Sequence, residues 1–211
     1  VSDTLQFGTT TGVQATLTRA QAPQESSSLL HGGSGLDNAM FTLSAASYNV
    51  VQYDAYTLVT NLATPGQQVQ LINVESVKFA DQTVTLEHRT ELNTLAGMYV
   101  SILGRQADVG GFGYWGALQH AQTGLGEIAV AMMNTTEGHG KGFSFNGQSS
   151  HDVEQLYKGL FNRASDAEGL AYWSHLMDNG TLTLVGVANA FIAAQEMDGH
   201  KLTVTGWDFL V

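Results

Sequence analysis

Apolar residues in the second half of the chain recur at the three- and four-residue spacing of an amphipathic helix. A run from Leu92 to Ile102 has this spacing, and so does a run from Val153 to Phe161. Each run is followed by two further helical stretches, the first rich in aromatic residues and the second in aliphatic ones. The pattern therefore predicts a six-helix region, made of two three-helix repeats, within residues 89–200.

Short stretches in the first part of the chain alternate between apolar and polar residues, as strands with one buried face do. The predicted strands cover residues 5–7, 13–17, 48–53, 56–60, 71–79 and 83–86. The last two form a predicted hairpin around Asp81 and Gln82. We therefore predict an α+β chain with three parts. These are a β-rich region over residues 1–88, the helical region over 89–200, and a C-terminal strand or tail over 201–211.

The helical region contains an internal repeat at a constant offset of 58 residues. Six positions match in order: Tyr99 with Tyr157, Arg105 with Arg163, Asp108 with Asp166, Gly111 with Gly169, Tyr114 with Tyr172, and Trp115 with Trp173. The offset becomes 59 in the third helix of each repeat, and both third helices finish near an acid, Glu137 or Glu196. Six ungapped matches indicate a duplication.

The repeated charged residues suggest either an anion or acid–base site or a structural role. An Asp at a helix start accepts hydrogen bonds from free N–H groups, and a nearby Arg can pair with it. We therefore favour the structural role for Arg105, Asp108, Arg163 and Asp166. Because aromatic residues at helical spacing are usually buried, the Tyr-Trp pairs are also expected in the core.

Two further expectations concern the second repeat and the segment before it. Tyr157 and Trp173 are predicted to be core residues, so that Trp173→Ala should cost about 3–5 kcal/mol of folding free energy. Residues 138–147, which contain four glycines, are predicted to form a mobile connector.

Composition narrows the range of partners. The 211 residues carry a formal net charge of -11, which argues against nucleic acid and anionic membranes as partners. The chain has no cysteine, which excludes disulfides, zinc-thiolate sites and cysteine nucleophiles. No apolar run reaches the length of a transmembrane helix, so no membrane span is predicted.

One glycine-rich segment has the residue types of a calcium site. Residues 31–38 contain Gly-Gly-x-Gly-x-Asp, in which turn carbonyls and the carboxylate of Asp37 would face a hard cation. Gly33, Gly35 and Asp37 are the candidate Ca²⁺ residues. A full site needs ligands from stacked turns, and the sequence has one copy of the motif, so a glycine-rich turn with a capping Asp is the alternative.

The helical motif resembles the DUF4214 domain of bacterial secreted proteins. The resemblance covers residues 91–197 in two copies, and it rests on the Tyr, Arg, Asp, Gly, Tyr and Trp positions above. The strands that precede it and the segment of Asp37 resemble parts of RTX-type proteins. These resemblances imply an extracellular or cell-surface protein exported by type I secretion, with its signal at the C-terminus.

Three functions follow from these patterns as hypotheses. The leading one is a non-catalytic binding or assembly module of a surface-layer or adhesin protein, which would bind cell-surface glycan or itself. The second is a secreted metal- or haem-binding carrier that uses residues such as His31 and Tyr48. The third is an accessory domain of a secreted hydrolase, with Asp166 and Glu168 as candidate acids. Carboxylates near a helix N-terminus favour the ionised form and are poor general acids.

Overall fold

The computed structural model describes residues 3–8, 14–19, 26–32, 36–86 and 92–198. The chain forms two compact units that divide between Thr90 and Glu91. The predicted C-terminal strand or tail, residues 201–211, lies outside the described residues.

The N-terminal unit is built from strands. They are β1 Asp3–Gly8, β2 Gln14–Arg19, β3 Ser26–His31, β4 Asn38–Met40, β5 Tyr48–Gln52, β6 Thr57–Asn61, β7 Gln67–Ile72, β8 Ser76–Lys78 and β9 Thr83–Thr85. β1 and β2 form an antiparallel pair, β3-β7-β6-β5 form a four-stranded sheet, and β4-β8-β9 form a three-stranded sheet. The β3–β7 and β4–β8 pairs are parallel, and the remaining pairs are antiparallel.

The core of this unit follows from the alternation of apolar and polar residues. Along β6, Thr57, Val59 and Asn61 are buried and the residues between them are half-buried. Aromatic rings fill the space beside the strands, with Phe79 at 5.7 Å from Phe41 and 5.4 Å from Tyr48 between ring centroids. The predicted β-rich region is therefore confirmed for its described strands.

The predicted strand over residues 71–79 is wrong as a single element. It divides into the end of β7 and the whole of β8. Asn73 lies between them with φ of 50°, a left-handed conformation that Asn tolerates better than most residues. The hairpin itself is confirmed: Lys78 pairs with Thr83, and the N–H of Phe79 donates to the carbonyl of Gln82 at 2.7 Å.

The C-terminal unit is helical in its described residues. Its helices are α1 Asn93–Met98, which continues as a π turn over Tyr99–Leu103, α2 Val109–His120, α3 Leu125–Met133, α4 Thr136–Gly140, α5 Ser149–Phe161, α6 Ala167–Asp178, α7 Leu184–Ala193 and α8 Gln195–Asp198. Among them, none has the length and apolar character needed to cross a bilayer.

The mixed α+β class is confirmed, but two three-helix repeats are not confirmed as predicted. In the described residues, the short helices α4 and α8 follow the third helix of each group. Thr135 begins α4 by accepting a hydrogen bond from the N–H of Gly138 at 3.0 Å. Helices of four or five residues are too short to show an apolar period, which is why the hydrophobic pattern misses them.

The third helices of the two groups, α3 and α7, pack against each other closely. The N–H of Gly126 donates to Oδ1 of Asn189 at 2.9 Å. A Cβ at position 126 would lie 2.6 Å from the backbone nitrogen of Asn189, so only glycine allows this approach. Ile128, Met132, Val187 and Phe191 of these two helices are buried.

The connector between the two groups is anchored rather than unrestrained, contrary to the expectation of a mobile loop. Its first residues belong to α4. The N–H groups of Asn146 and Gly147 each donate to a different carboxylate oxygen of Asp152 at 3.0 Å, and Asp152 is only 3% exposed. The side chain of Phe143 is buried as well, so both polar and apolar contacts hold this segment.

Candidate functional site

Both repeated arginines lie immediately after the residue that ends a helix. Gly104 has φ of 67° and Asn162 has φ of 53°, and both are left-handed. This conformation ends a helix and turns the chain away from its axis, as the sequence predicts. Arg105 and Arg163 follow directly, and each guanidinium lies over the ring of a tyrosine in the helix that has just ended.

The first cluster consists of Tyr99, Arg105, Asp108, Gly111, Trp115 and Glu137. Arg105 donates from Nε and Nη2 to the two carboxylate oxygens of Glu137, at 2.6 and 2.9 Å. Its Nη1 donates to Oδ2 of Asp108 at 3.0 Å, while Oδ1 of Asp108 accepts from the N–H of Gly111 at 2.7 Å. The arginine therefore joins the start of α2 to the acid on α4.

The second cluster, Tyr157, Arg163, Asp166, Gly169, Trp173 and Glu196, has the same arrangement. Arg163 donates to both oxygens of Glu196 at 2.6 and 2.9 Å. Asp166 accepts from the N–H of Gly169 at 2.8 Å. The contact between Arg163 and Asp166 is longer than in the first cluster, at 3.7 Å. The arginine–glutamate pair and the aspartate cap therefore occur in both clusters with the same geometry.

A buried tyrosine lies beneath each guanidinium. The guanidinium carbon of Arg105 is 5.2 Å from the ring centroid of Tyr99, and that of Arg163 is 4.8 Å from the ring of Tyr157. The side chain of Trp115 hydrogen-bonds the Tyr99 hydroxyl. A Cβ on Gly111 would overlap this hydroxyl, and Gly169 stands in the same relation to Tyr157. The repeated glycine is therefore required by the tyrosine.

Three carboxylates of the two clusters, those of Asp108, Glu137 and Asp166, are held ionised. The N–H of Gly111 lowers the pKa of Asp108, and the N–H of Gly169 lowers the pKa of Asp166. The hydrogen bond from Arg105 lowers the pKa of Glu137, and burial raises the pKa of Tyr99. At neutral pH these groups neither release nor take up a proton readily, so the geometry suits charge pairing and hydrogen bonding.

The structure corrects the expectation that both Tyr-Trp pairs are core. Tyr157 is buried, but Trp173 and Trp115 are half-buried, and Tyr114 and Tyr172 are 60% and 59% exposed. Adjacent residues of a helix point in different directions, so one member of each pair must face away from the core. Each exposed tyrosine instead packs edge-on against its neighbouring indole, with ring centroids 4.9 Å apart.

A pocket of about 330 Å³ opens at the first cluster. Besides the cluster itself, it is lined by Leu103, Met132, Thr135 and Thr136. Sequence reasoning did not identify these four residues as part of a site. At offsets of 58 and 59 the second half has other residue types at these four positions, but the same is true of many positions outside the pocket.

The positions that correspond to Leu103 and Met132 are Phe161 and Phe191 in the second half. The two phenylalanine rings stack at 4.9 Å, and the ring of Phe191 also contacts Tyr157 at 4.7 Å and Trp173 at 5.4 Å. Phe161 and Phe191 therefore fill the space beside Tyr157. The corresponding space beside Tyr99 is bordered by Leu103 and Met132.

The candidate calcium residues are described only in part, because Gly33 and Gly35 lie outside the described residues. Asp37 is fully buried, and its backbone N–H donates to Oε2 of Glu75 at 2.6 Å. A Cβ on Gly32 would lie 2.8 Å from the side chain of Asp37, so this glycine allows the close approach. Over the part of the chain that the structure describes, no three His, Cys, Asp or Glu side chains are grouped as metal ligands.

The structure separates the residues suggested for the alternative functions. Tyr48 is half-buried, with its ring 5.0 Å from that of Phe41, whereas Nε2 of His31 lies 3.4 Å from Nδ2 of Asn73. Asp166 caps α6, and Glu168 lies in the first turn of the same helix. Each of these residues therefore has a structural setting of its own.

A family model described as "Domain of unknown function (DUF4214)" matches residues 140–200. The match contains the whole second cluster and confirms the resemblance for one copy. The first cluster lies before the matched residues. Neither the curated proteins nor the solved structures include a match to this chain.

Proposed function

We propose that this chain is a non-catalytic, extracellular binding and assembly module of a type I-secreted surface-layer or adhesin protein. The proposal rests on one observation: the charged residues of the two clusters are engaged in hydrogen bonds and ion pairs within the protein. Arg105 makes four hydrogen bonds within the protein, and Arg163 joins its helix end to Glu196 in the same way. Such residues build a stiff scaffold, and they are not arranged as the donor and acceptor of a reaction.

We also propose that residues 92–198 are two copies of one unit, each with three helices and a short fourth segment. The matching ion pairs, helix caps and tyrosine–glycine contacts of the two clusters support this proposal. A scaffold with two copies would present two related surfaces, which suits attachment to a repetitive partner such as a surface polysaccharide or a lattice of identical chains.

The acidity of the chain supports an extracellular partner that is neutral or cationic rather than nucleic acid. The formal net charge of -11 would repel polyanions. Calcium remains part of the proposal through Asp37, whose burial beside Glu75 is compatible with a cation held near the glycine-rich segment.

The test uses the full 211-residue chain. We expect it either to bind purified bacterial surface polysaccharides in a pull-down or to increase in mass in static light scattering between micromolar and millimolar concentrations. Each assay is run with calcium and with a chelator. A chain that stays monomeric and binds no polysaccharide under both conditions would contradict the proposal.

A further inference from the structure

The pocket at the first cluster has the dimensions and the chemistry of a sugar subsite. We propose that it binds one neutral sugar ring of a glycan, an inference that rests on the proposed function and names the part of the module that recognises the glycan. The inference rests on three side chains that line one cavity. They are the half-buried indole of Trp115 and the carboxylates of Asp108 and Glu137.

The size of the cavity favours a single ring. Its volume of about 330 Å³ lies at the lower end of the 300–1,000 Å³ usual for ligand sites. Asp108 and Glu137 retain side-chain exposures of 48% and 39%, so both carboxylates can be reached from solvent. A ring at the end of a glycan, rather than a long segment of it, fits such a site.

The charge of the pocket favours a neutral ligand over an anion. Arg105 already uses four of its five N–H groups on Glu137, Asp108 and the carbonyl of Gln106. Its charge is opposed by two carboxylates, while the N-terminus of α2 adds partial positive charge next to Asp108. An anion would meet an occupied guanidinium and two negative groups, whereas a polyol meets a field that is close to balanced.

The remaining hydrogen-bonding capacity matches sugar hydroxyl groups. A carboxylate offers about four acceptor positions, and the hydrogen bonds from Arg105 and Gly111 occupy two on Asp108 and two on Glu137. Both groups are acceptors only, because their pKa values are lowered. Thr136 is exposed at the edge of the pocket and adds a hydroxyl that can donate or accept.

The aromatic side of the pocket completes the match. A pyranose has one face made largely of C–H groups, and this face packs well against an aromatic ring. Trp115 lines the pocket, and its indole is fixed by the edge contact with Tyr114 and by the hydrogen bond to Tyr99. A rigid indole beside fixed acceptors is already arranged for binding, which lowers the entropic cost of association.

Divergence between the two halves explains why the proposal concerns the first cluster. Leu103 and Met132 border the pocket, whereas Phe161 and Phe191 stack into the corresponding space. Thr135 and Thr136 correspond to Ala194 and Gln195, so the first half also has two hydroxyl groups that the second half lacks at these positions. We assign binding to the first half and core packing to the second.

The experiment is a titration of the full chain with methyl glycosides of glucose, galactose and mannose and with N-acetylglucosamine, followed by amide and indole NMR shifts. We expect saturable shifts around Trp115 for at least one of these sugars. A dissociation constant of roughly 1–10 mM is expected for a ligand of about 12–15 non-hydrogen atoms. Sodium acetate, sodium phosphate and ethylamine serve as anionic and cationic probes and should shift the same resonances weakly.

Two variants test the location. In Leu103→Phe/Met132→Phe the pocket acquires the residues of the second half, and we expect binding to weaken at least tenfold. Thr136→Lys fills the pocket from an exposed position and should weaken binding without altering the core. Ala171→Lys introduces the same charge at an exposed position on α6 and is expected to bind as the wild type does.

The outcomes separate this inference from the proposed function. If no sugar produces saturable shifts, or if Thr136→Lys binds as tightly as Ala171→Lys, the assignment of the pocket is wrong. Polysaccharide binding that survives both pocket variants would leave the proposed function standing and place recognition elsewhere. Tighter binding of acetate or phosphate than of any sugar would show an anion site and overturn the assignment.

Discussion

Arg105 and Glu137 form a two-point ion pair between residues 32 positions apart, with N–O distances of 2.6 and 2.9 Å. Arg163 and Glu196 repeat this pair at the same two distances. Two parallel bonds fix the relative position of two groups in a way that one bond cannot. Each pair therefore ties the short helix at the end of its half to the turn between the first two helices.

We expect Arg105→Lys and Arg163→Lys to lower the free energy of unfolding by similar amounts. A lysine ammonium cannot make the planar two-point contact, and it is a poorer partner for the tyrosine ring. Because the arginines are 36% and 40% exposed, solvent screening limits the loss to about 1 kcal/mol each. Urea denaturation measures it, and a loss confined to one of the two variants would contradict the equivalence of the clusters.

Stability should decline in acid because of the first cluster. The pKa values of Asp108 and Glu137 are lower in the folded chain than their ordinary values of 3.8 and 4.5. Their ionised forms therefore favour folding, and this stabilisation is present above the unfolded pKa values and lost as the pH falls through the folded ones. We expect the free energy of unfolding to fall below about pH 5 and to continue falling below about pH 4.

The matched variant is Glu137→Gln, which removes one of these titrating groups. It should be less stable than the wild type at neutral pH, and the difference between the two proteins should shrink as the pH is lowered. A constant difference across the acid range would show that the pair with Arg105 contributes nothing that depends on the charge of Glu137.

Two neighbouring glycines provide a sharp test of the tyrosine–glycine contact. A methyl group on Gly111 would overlap the hydroxyl of Tyr99, whereas one on Gly110 would have its nearest neighbour at 3.6 Å. We expect Gly110→Ala to stabilise the protein by about 0.5–1 kcal/mol through helix propensity. Gly111→Ala should destabilise it by about 1–3 kcal/mol, the usual cost of overpacking.

Removing the hydroxyl should relieve the overlap. In the double variant Gly111→Ala/Tyr99→Phe, we expect part of the lost stability to return, so that the two substitutions are not additive. Thermal denaturation of the four proteins of this cycle gives the coupling. Additive effects would mean that the hydroxyl is not what requires the glycine.

The sequence predicts the contacts of the repeated residues better than it predicts the ends of the elements. Asp108, Asp166, Gly104 and Asn162 act as the caps and helix ends that their residue types indicate, because these interactions are local. The pairing of Arg105 with Glu137 depends on how distant helices pack, and the acid was evident only as a residue near a helix end. Local chemistry is readable in one sequence, whereas long-range partners are set by the fold.

The residues that form the pocket also could not be identified from the sequence. Leu103 and Met132 are ordinary apolar residues of amphipathic helices, and nothing in their spacing distinguishes them from Phe161 and Phe191. Their importance comes from the volume they leave beside Trp115, which depends on four helices, α1 to α4, meeting at that point. Volume differences between two halves can be recognised only after the residues are placed in space.

In the second half, Phe191 should contribute more to folding stability than Trp173 does. Its ring is 2% exposed and contacts Tyr157, Phe161 and Trp173. We expect Phe191→Ala to cost about 3–5 kcal/mol, the usual range for a buried large aromatic side chain. Trp173 is half-buried, so Trp173→Ala should cost about half as much, which revises the expectation from sequence. Equal losses in urea denaturation would contradict this order.

The last prediction concerns the connector held by Asp152. This carboxylate is 3% exposed and accepts hydrogen bonds from the N–H groups of Asn146 and Gly147, one on each oxygen. In Asp152→Ala both donors lose their partner, at a cost of about 1–3 kcal/mol, and the segment after Lys141 should open more often. Asp152→Asn retains one acceptor oxygen, so its stability should lie between those of the wild type and Asp152→Ala. Ser150→Ala, an exposed position in the same first turn, serves as the control.

We expect faster hydrogen exchange at the amides of Asn146 and Gly147 and faster tryptic cleavage after Lys141 in Asp152→Ala. Unchanged exchange and cleavage in Asp152→Ala would show that the buried side chain of Phe143, and not the carboxylate, fixes the connector.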